Sequence, residues 1–546
     1  MNRPYVIIGD GAAGLSAAWT LARKGLSSLI AAPMPSERAQ SVMAEGGINA
    51  ALDTMGEGDT AALHGEETYK AGRFLADRKA IEGLTEAAPG IVRELYKLGM
   101  SFNLTPEGMI AQRPFGGQTK RRTAFASSST GKELMHTLTR EVLRWEGEGL
   151  VARMMGWRFL RLVKQGESAC GVILYHEDEN RLRYIPAAGV IIAAGGMNGL
   201  FGNATGSVLN TGAVEASLFQ DGVSFANGEF IQYHPTTVRL HGKNMLITEA
   251  VRGEGGRLYI RKEGKPYYFM ELKYPTLGNL MPRDVVAREE WSWMKQGYQV
   301  YLDMSFLGKD VYENKLQSVI SDCLRFLALD PRKEPIPVEP GIHYFMGGLS
   351  VDRGHRTKVP HLYAAGESAC QYHGANRLGG NSLLGAMYGG RTAAETAALE
   401  GEAPEGTCPS GWETPDFYRP KNAHPMHVGE RNQALGTILR SSLGIERNEK
   451  DMSAALTAIE RLREETVEGC WDEEAPLDAS ALFSARCRLG EALLRSALGR
   501  KESRGAHLRS DYPGEREEYR KTTVAVFDGE EIHVSLKDIG NPFQNG

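Results

Sequence analysis

Cysteine is scarce in this sequence. Six cysteines are scattered through 546 residues, at positions 170, 323, 370, 408, 470 and 487. They form no metal-ligand spacing and no dense disulfide framework, so no iron–sulfur or zinc site is expected in the chain itself, and a reducing compartment is expected around it. Long hydrophobic runs are lacking too. The longest apolar stretch, Gly189 to Ala194, has the length of a strand, far short of the ~20 residues of a membrane span. The run Tyr5-Val6-Ile7-Ile8 is too short for a signal-peptide core, and no cleavage site follows it. Any membrane association is therefore expected to come through a partner. An excess of one charge is also missing. Lys+Arg number 63 against 68 Asp+Glu, which argues against a general nucleic-acid binder.

Glycine, by contrast, is abundant. Its 64 residues lie well above the average usage of about 7%, and an excess without repeats points to tight turns and close backbone approach to a ligand. Tyr5–Ile8 reads as a strand, Gly9-Asp10-Gly11-Ala12-Ala13-Gly14 as a turn, Leu15–Lys24 as a helix ended by Gly25, and Leu26–Ala31 as the next strand. A G-x-G-x-x-G motif inside such a unit signals a dinucleotide: glycines allow the tight turn, and the helix N-terminus receives a pyrophosphate. The acidic residue expected at the end of the second strand is missing; Ala31-Ala32-Pro33 stands there. This leaves Glu37 or backbone groups to hold the ribose. Two further strands run into glycine, at Gly189–Gly196 and Leu362–Glu367, where Ala194, Gly195 and Glu367 should meet the cofactor. Three such elements separated by long insertions suggest one nucleotide-binding domain built from discontinuous segments, 1–227 and 339–402, with 228–338 inserted between them. Gly401–Pro425, with Pro404, Pro409, Pro415 and Pro420, reads as a linker. It opens a helical region, 403–510, that includes Met452–Glu465 and Ala479–Leu498. The last segment, 511–546, carries short strand-like pieces.

Further motifs follow in order: Ala44-Glu45-Gly46-Gly47-Ile48, Arg113-Pro114-Phe115-Gly116-Gly117, Gln232-Tyr233-His234-Pro235-Thr236, Thr248-Glu249-Ala250-Val251-Arg252-Gly253-Glu254-Gly255-Gly256, Pro282-Arg283-Asp284, His343-Tyr344-Phe345-Met346-Gly347-Gly348, His373 through Leu384, and Glu502-Ser503-Arg504-Gly505-Ala506-His507. Together they resemble, nearly end to end, the flavoprotein subunit of the succinate dehydrogenase/fumarate reductase family. The resemblance implies an α/β fold with a Rossmann-like FAD-binding domain, an inserted α+β capping domain, a C-terminal helical domain and a small C-terminal segment. It also implies FAD, an iron–sulfur subunit and a membrane anchor as partners, and a place in the cytoplasm or peripherally on the cytoplasmic face of the membrane.

These residue types suit a four-carbon dicarboxylate such as fumarate or succinate. Arg377 can take one carboxylate bidentately, and His234, His343 and Thr248 the other. By resemblance these positions bind substrate, with Phe115 beside them. Arg283 matches the family's proton donor, and Glu249 and Arg252 its proton relay. Arginine stays protonated in ordinary surroundings and donates only to a very basic centre. Gly9, Gly11, Ala12, Ala13, Gly14, Ser41, Ala44, Gly46, Gly47, Glu367, Arg377, Ser382 and Leu383 are the expected flavin positions, with Ser382 and Leu383 setting a helix N-terminus near the reduced ring.

One departure is informative. Many members bind flavin covalently through a histidine where this chain has Gln40. Glutamine has no imidazole nitrogen, so FAD is expected to be non-covalent. In the family the covalent link raises the flavin potential for succinate oxidation, so its absence favours fumarate reduction. Succinate dehydrogenase, L-aspartate oxidase and other enoate reductases are the alternatives. Phe115 stands where L-aspartate oxidase carries a glutamate, and an apolar ring cannot pair with a substrate ammonium. A flavin-binding carrier or assembly subunit without its own substrate is a reading from another class.

Overall fold

A computed structural model describes every residue except 1–2, 409, 415–417, 419–423, 468–469, 473, 541–542 and 544–546. Apolar runs bounded by glycine become the middle of a five-stranded sheet. Its order is Leu362–Ala364, Gly189–Ile192, Tyr5–Ile8, Ser28–Ala32, Val151–Met155, and every neighbouring pair is parallel. Every residue of Tyr5–Ile8 and Gly189–Ile192 is buried, as continuous apolar strands covered on both faces must be. The helix Ala12–Arg23 starts at the glycine turn, three residues before the expected Leu15, and packs against the helix Asn381–Glu400.

The inserted region builds a six-stranded sheet. Its order is Lys243–Leu246, Ile231–Leu240, Ile336–Phe345, Val300–Asp303, Arg257–Lys262, Lys265–Tyr267, all antiparallel. The strand Ile336–Phe345 runs through residue 338, so this sheet continues into the returning segment. Helix Arg283–Met294 packs mainly on Ile231–Leu240 and next on Ile336–Phe345, the two strands that carry Gln232, His234 and His343.

The C-terminal part is less separate than its composition suggests. Helices Val428–Ser442, Glu449–Val467 and Phe483–Gly499 share one apolar cluster with the dinucleotide sheet, in which Leu435, Leu439 and Leu493 join Phe201, Val190 and Ile192. Thr522–Phe527 pairs with Phe225–Ala226 and with Ile532–Lys537, so the last segment completes a sheet at the hinge of the insertion rather than standing as an independent unit. Of the proposed linker, Pro409, Pro415 and Pro420 lie outside the described residues. Its start is tied down, since Ala403 N donates to Ala188 O at 2.7 Å.

Candidate active site

A cavity of about 680 Å³ runs between the parallel sheet and the inserted region. Its floor is the glycine turn. Gly9 sits at φ +108°, where a Cβ would overlap the Ala193 carbonyl. Gly14 lets the helix close onto the strand, since a Cβ there would overlap Gly9 O. Gly14 is therefore a packing residue and not a wall of the cavity, while Gly9, Gly11, Ala12 and Ala13 line it. Ala12 N donates to Ser41 Oγ at 3.1 Å, and Gln40 Oε1 accepts from Ser207 N at 2.6 Å. Ser41, Ala44, Gly46, Gly47, Ala194, Gly195, Glu367, Ser382 and Leu383 also face the cavity. Glu367 Oε1 accepts from Phe345 N at 3.0 Å, and burial pushes its carboxyl up to about 7. Gly380, at φ +85°, caps the helix that carries Ser382, and Asn49 Nδ2 holds the preceding turn through Gly379 O at 2.7 Å. A glycine cradle at one helix N-terminus, with a second helix N-terminus lining the same cavity, fits the diphosphate and ring of a flavin dinucleotide. Glu37 is exposed and off this wall, which corrects the expectation that it could hold the ribose.

The roof comes from the inserted sheet and its helix. Strand Ile231–Leu240 carries Gln232 and His234, strand Ile336–Phe345 carries His343, and Arg283 is the first residue of its helix. Arg283 Nε donates to Glu249 Oε2 at 2.8 Å, and Nη2 lies 2.6 Å from the same oxygen. Glu249 Oε1 accepts from Gly116 N at 2.9 Å and lies 3.4 Å from Arg252 Nη2. The order Arg283–Glu249–Arg252 thus leads away from the cavity: the first two line it and Arg252 does not. Arg377 stands over the Tyr344 ring at 4.2 Å. Its Nε has no hydrogen-bond partner among the described residues. The His234 and His343 rings meet edge to face, 4.9 Å apart. Phe115 and Thr248 complete this end, with the Phe115 ring packed where any Cβ on Gly46 would fall.

Burial sets the charges. Desolvation, and next the Arg283 charge, hold both histidines well below their ordinary range, so both are neutral near pH 7. His234 Nδ1 accepts from Thr236 N at 3.2 Å, which leaves the proton on Nε2 as a donor. His343 Nδ1 shares a bond with Thr205 Oγ1 at 2.8 Å. Burial alone would raise the Glu249 carboxyl, but the Arg283 and Arg252 guanidiniums beside it hold it below its ordinary value. Burial, with Arg283 nearby, brings Arg377 down to about 9.

Two residues escaped the sequence reading although both lay inside motifs already noted. Gln232 is fully buried, and its Oε1 accepts from Arg283 Nη1 and from Arg377 Nη2, each at 3.1 Å. One amide oxygen therefore sets the spacing of two guanidiniums, which would otherwise repel. Glu45 lines the cavity, its Oε2 has no partner among the described residues, and burial pushes it up to about 8.

The sheet order and this cavity define a flavin-dinucleotide-dependent oxidoreductase. Comparison with known proteins agrees. An FAD binding domain model matches residues 5–383, and a fumarate reductase flavoprotein C-term model matches 432–542. The chain is 36% identical to the succinate dehydrogenase flavoprotein subunit of Bacillus subtilis, covering 97% of this chain and 96% of that one. It is 33% identical to the fumarate reductase flavoprotein subunit of Mycobacterium tuberculosis, covering 94% and 93%. A solved quinol-fumarate reductase with menaquinol molecules superposes with a TM-score of 0.89 at 26% identity, over 99% of both chains. The protein belongs to the succinate dehydrogenase/fumarate reductase flavoprotein family. It is an FAD-dependent oxidoreductase acting on a CH–CH bond.

Proposed function

We propose that this chain is the catalytic subunit of a fumarate reductase and that its FAD is held without a covalent bond. The observation that carries the reading is the buried Arg283–Glu249–Arg252 chain, whose first member opens onto a cavity also lined by Arg377, His234, His343 and Thr248. Arg377 grips one substrate carboxylate through its unspent N–H groups. His234 Nε2–H, His343 and the Thr248 hydroxyl hold the other. Fixing both ends strains and polarises the alkene. Bound FAD, in its reduced form, would supply a hydride equivalent to one alkene carbon. Arg283 then gives a proton to the other carbon, now a carbanion basic enough to take it. Glu249 and Arg252 return a proton to Arg283, so two electrons and two protons are added in all. Phe115 lends an apolar wall and disfavours an amino-acid substrate.

Gln40 supports the non-covalent flavin and, through it, the direction. Each 30 mV of a two-electron couple is about tenfold in equilibrium constant. A flavin lowered by several such steps is reduced poorly by succinate and oxidised readily by fumarate. Electrons would come from an iron–sulfur subunit bound to a membrane anchor. Among the described residues no helix is long and apolar enough to cross a membrane, so contact with a bilayer would be the anchor's task. The test has two parts. Acid precipitation should leave the flavin in the supernatant, and fumarate reduction should far exceed succinate oxidation when each is assayed with artificial carriers. Comparable rates both ways, with a flavin potential near that of the fumarate/succinate couple, would make succinate dehydrogenase the better name.

A further inference from the structure

In this fold an acidic side chain at the end of the second strand usually takes the ribose hydroxyls of the adenosine. Here the strand Ser28–Ala32 ends without one. The cavity nevertheless reaches that strand end: Ala31, Pro33 and Met34 line it, as do Trp157 and Phe159. A lining of apolar and aromatic side chains suits a purine base. A carboxylate does reach this end of the cavity, but from another element. Asp10, the second residue of the glycine turn, lines the wall and is 6% exposed. Ser36 Oγ, from the loop after the second strand, donates to Asp10 Oδ2 at 3.1 Å. The carboxylate is therefore drawn toward the place where the missing acid would stand. Asp478, which also faces the cavity, is engaged differently, 3.7 Å from Arg158 Nη1. Burial pushes the Asp10 carboxyl up to about 6 against the weaker pulls of Ser36, its own backbone N–H and the more distant Arg153, and no ion pair closes on it among the described residues. A buried carboxylate in a ligand cavity with so few donors has capacity for more.

We propose that Asp10, seated by Ser36, accepts the hydroxyls of the adenosine ribose of FAD, replacing from the turn the carboxylate that the second strand lacks. The diphosphate stays with the glycine turn and the helix N-terminus, so Asp10 selects the adenosine half of the cofactor rather than its charge. The proposal rests on FAD as the cofactor and is independent of the direction of the reaction.

The test uses apoprotein from flavin-starved cells, titrated by quenching of flavin fluorescence, which reads initial binding whether or not a covalent bond later forms. The ligands are FAD, an FAD analogue built on 2′,3′-dideoxyadenosine, and FMN, which lacks the adenosine. The wild type should bind the dideoxy analogue about tenfold to a hundredfold more weakly than FAD, the range for hydrogen bonds to a charged group. Asp10→Ala and the near-isosteric Asp10→Asn should weaken FAD binding, and Asp10→Ala should bind FAD and the analogue alike. FMN should bind wild type and variants equally, and Glu37→Gln should behave as wild type. An FAD-to-analogue ratio unchanged by Asp10→Ala would overturn the assignment. So would a fall in FMN binding as large as that in FAD binding.

Discussion

Two of the buried arginine–glutamate networks among the described residues use their hydrogen bonds in opposite ways. Near the C-terminus, Arg500 and Arg504 leave nothing unspent. Arg500 Nε donates to Glu229, Nη1 to Glu502 and the Tyr519 carbonyl, and Nη2 to the Lys521 carbonyl and Thr523 Oγ1. Arg504 does the same through Glu502, Glu515 and the carbonyls of Arg73 and Arg516. Each guanidinium thus fills all its N–H donors. At the cavity, Arg377 keeps Nε free, and Arg252 keeps Nε and Nη2 without a hydrogen bond among the described residues. A saturated buried charge has nothing left for a ligand and holds chain segments in place. A buried charge with capacity to spare is costly until something binds it. The first network joins Glu229 at the start of the inserted region, the helical region and the terminal strands; the second opens onto the cavity through Arg283 and Arg377.

If that contrast is right, changes in the two networks should separate turnover from stability. The largest effect is expected for Arg283→Lys. Lysine keeps the charge but offers a single compact donor on a different stem. Fumarate reduction should fall by about a hundredfold to ten-thousandfold, the usual contribution of a positioned acid, with FAD content and thermal midpoint close to wild type. Near-normal turnover in this variant would remove Arg283 from the role of donor. Arg500→Met should give the reverse pattern. It leaves Glu229 in the interior without its cation, while Arg504 still holds Glu502, at a cost of about 3–5 kcal/mol. A clearly lower unfolding midpoint, with turnover per bound flavin unchanged, is the expected result; a midpoint equal to wild type would mean that the C-terminal network is ornamental.

Gln232→Leu probes the bridge between the two site arginines. It deletes the one acceptor that Arg283 and Arg377 share while nearly keeping volume. A fall in kcat/KM of about tenfold to a hundredfold is expected for a lost bond to charged groups, visible in both kcat and KM because donor and clamp both shift. An unchanged kcat/KM would show that the arginines hold their spacing without it.

These networks were unequally visible in the sequence. The strand–glycine–helix unit is contiguous, so its period and turn chemistry announce it. Arg283, Glu249 and the histidines stood in recognisable motifs, and the structure gathers them at one cavity. The bridging by Gln232 was not legible, because it depends on Asn376 and Arg377 arriving from a segment some 145 positions away. Ala31-Ala32-Pro33 showed correctly that the usual acid is absent, but Glu37 was the wrong substitute, since a residue five positions past a strand end can point outward as easily as inward. The partner of the terminal segment was not legible, because its polar, short strands carry no long-range signal. Only the structure shows its pairing with Phe225–Ala226.

Glu290 gives the smallest expected effect and sharpens the comparison furthest. It lies on the helix that begins with Arg283, is fully buried, and has neither carboxylate oxygen hydrogen-bonded among the described residues. Burial raises its carboxyl well above the ordinary value of 4.5, against the opposing pull of Arg252. In the folded chain it therefore keeps a proton that the unfolded chain releases above about pH 4.5. Stability should be undiminished below that pH and fall as pH rises toward the folded-state value, because the unfolded state then binds fewer protons. Glu290→Gln imitates the protonated acid and cannot ionise in either state. The variant's advantage in unfolding free energy should therefore grow with pH between 5 and 7, by at most about 1.4 kcal/mol per pH unit. A constant gap for Glu290→Gln would mean that Glu290 is ionised and paired with Arg252, making the cavity network as saturated as the C-terminal one.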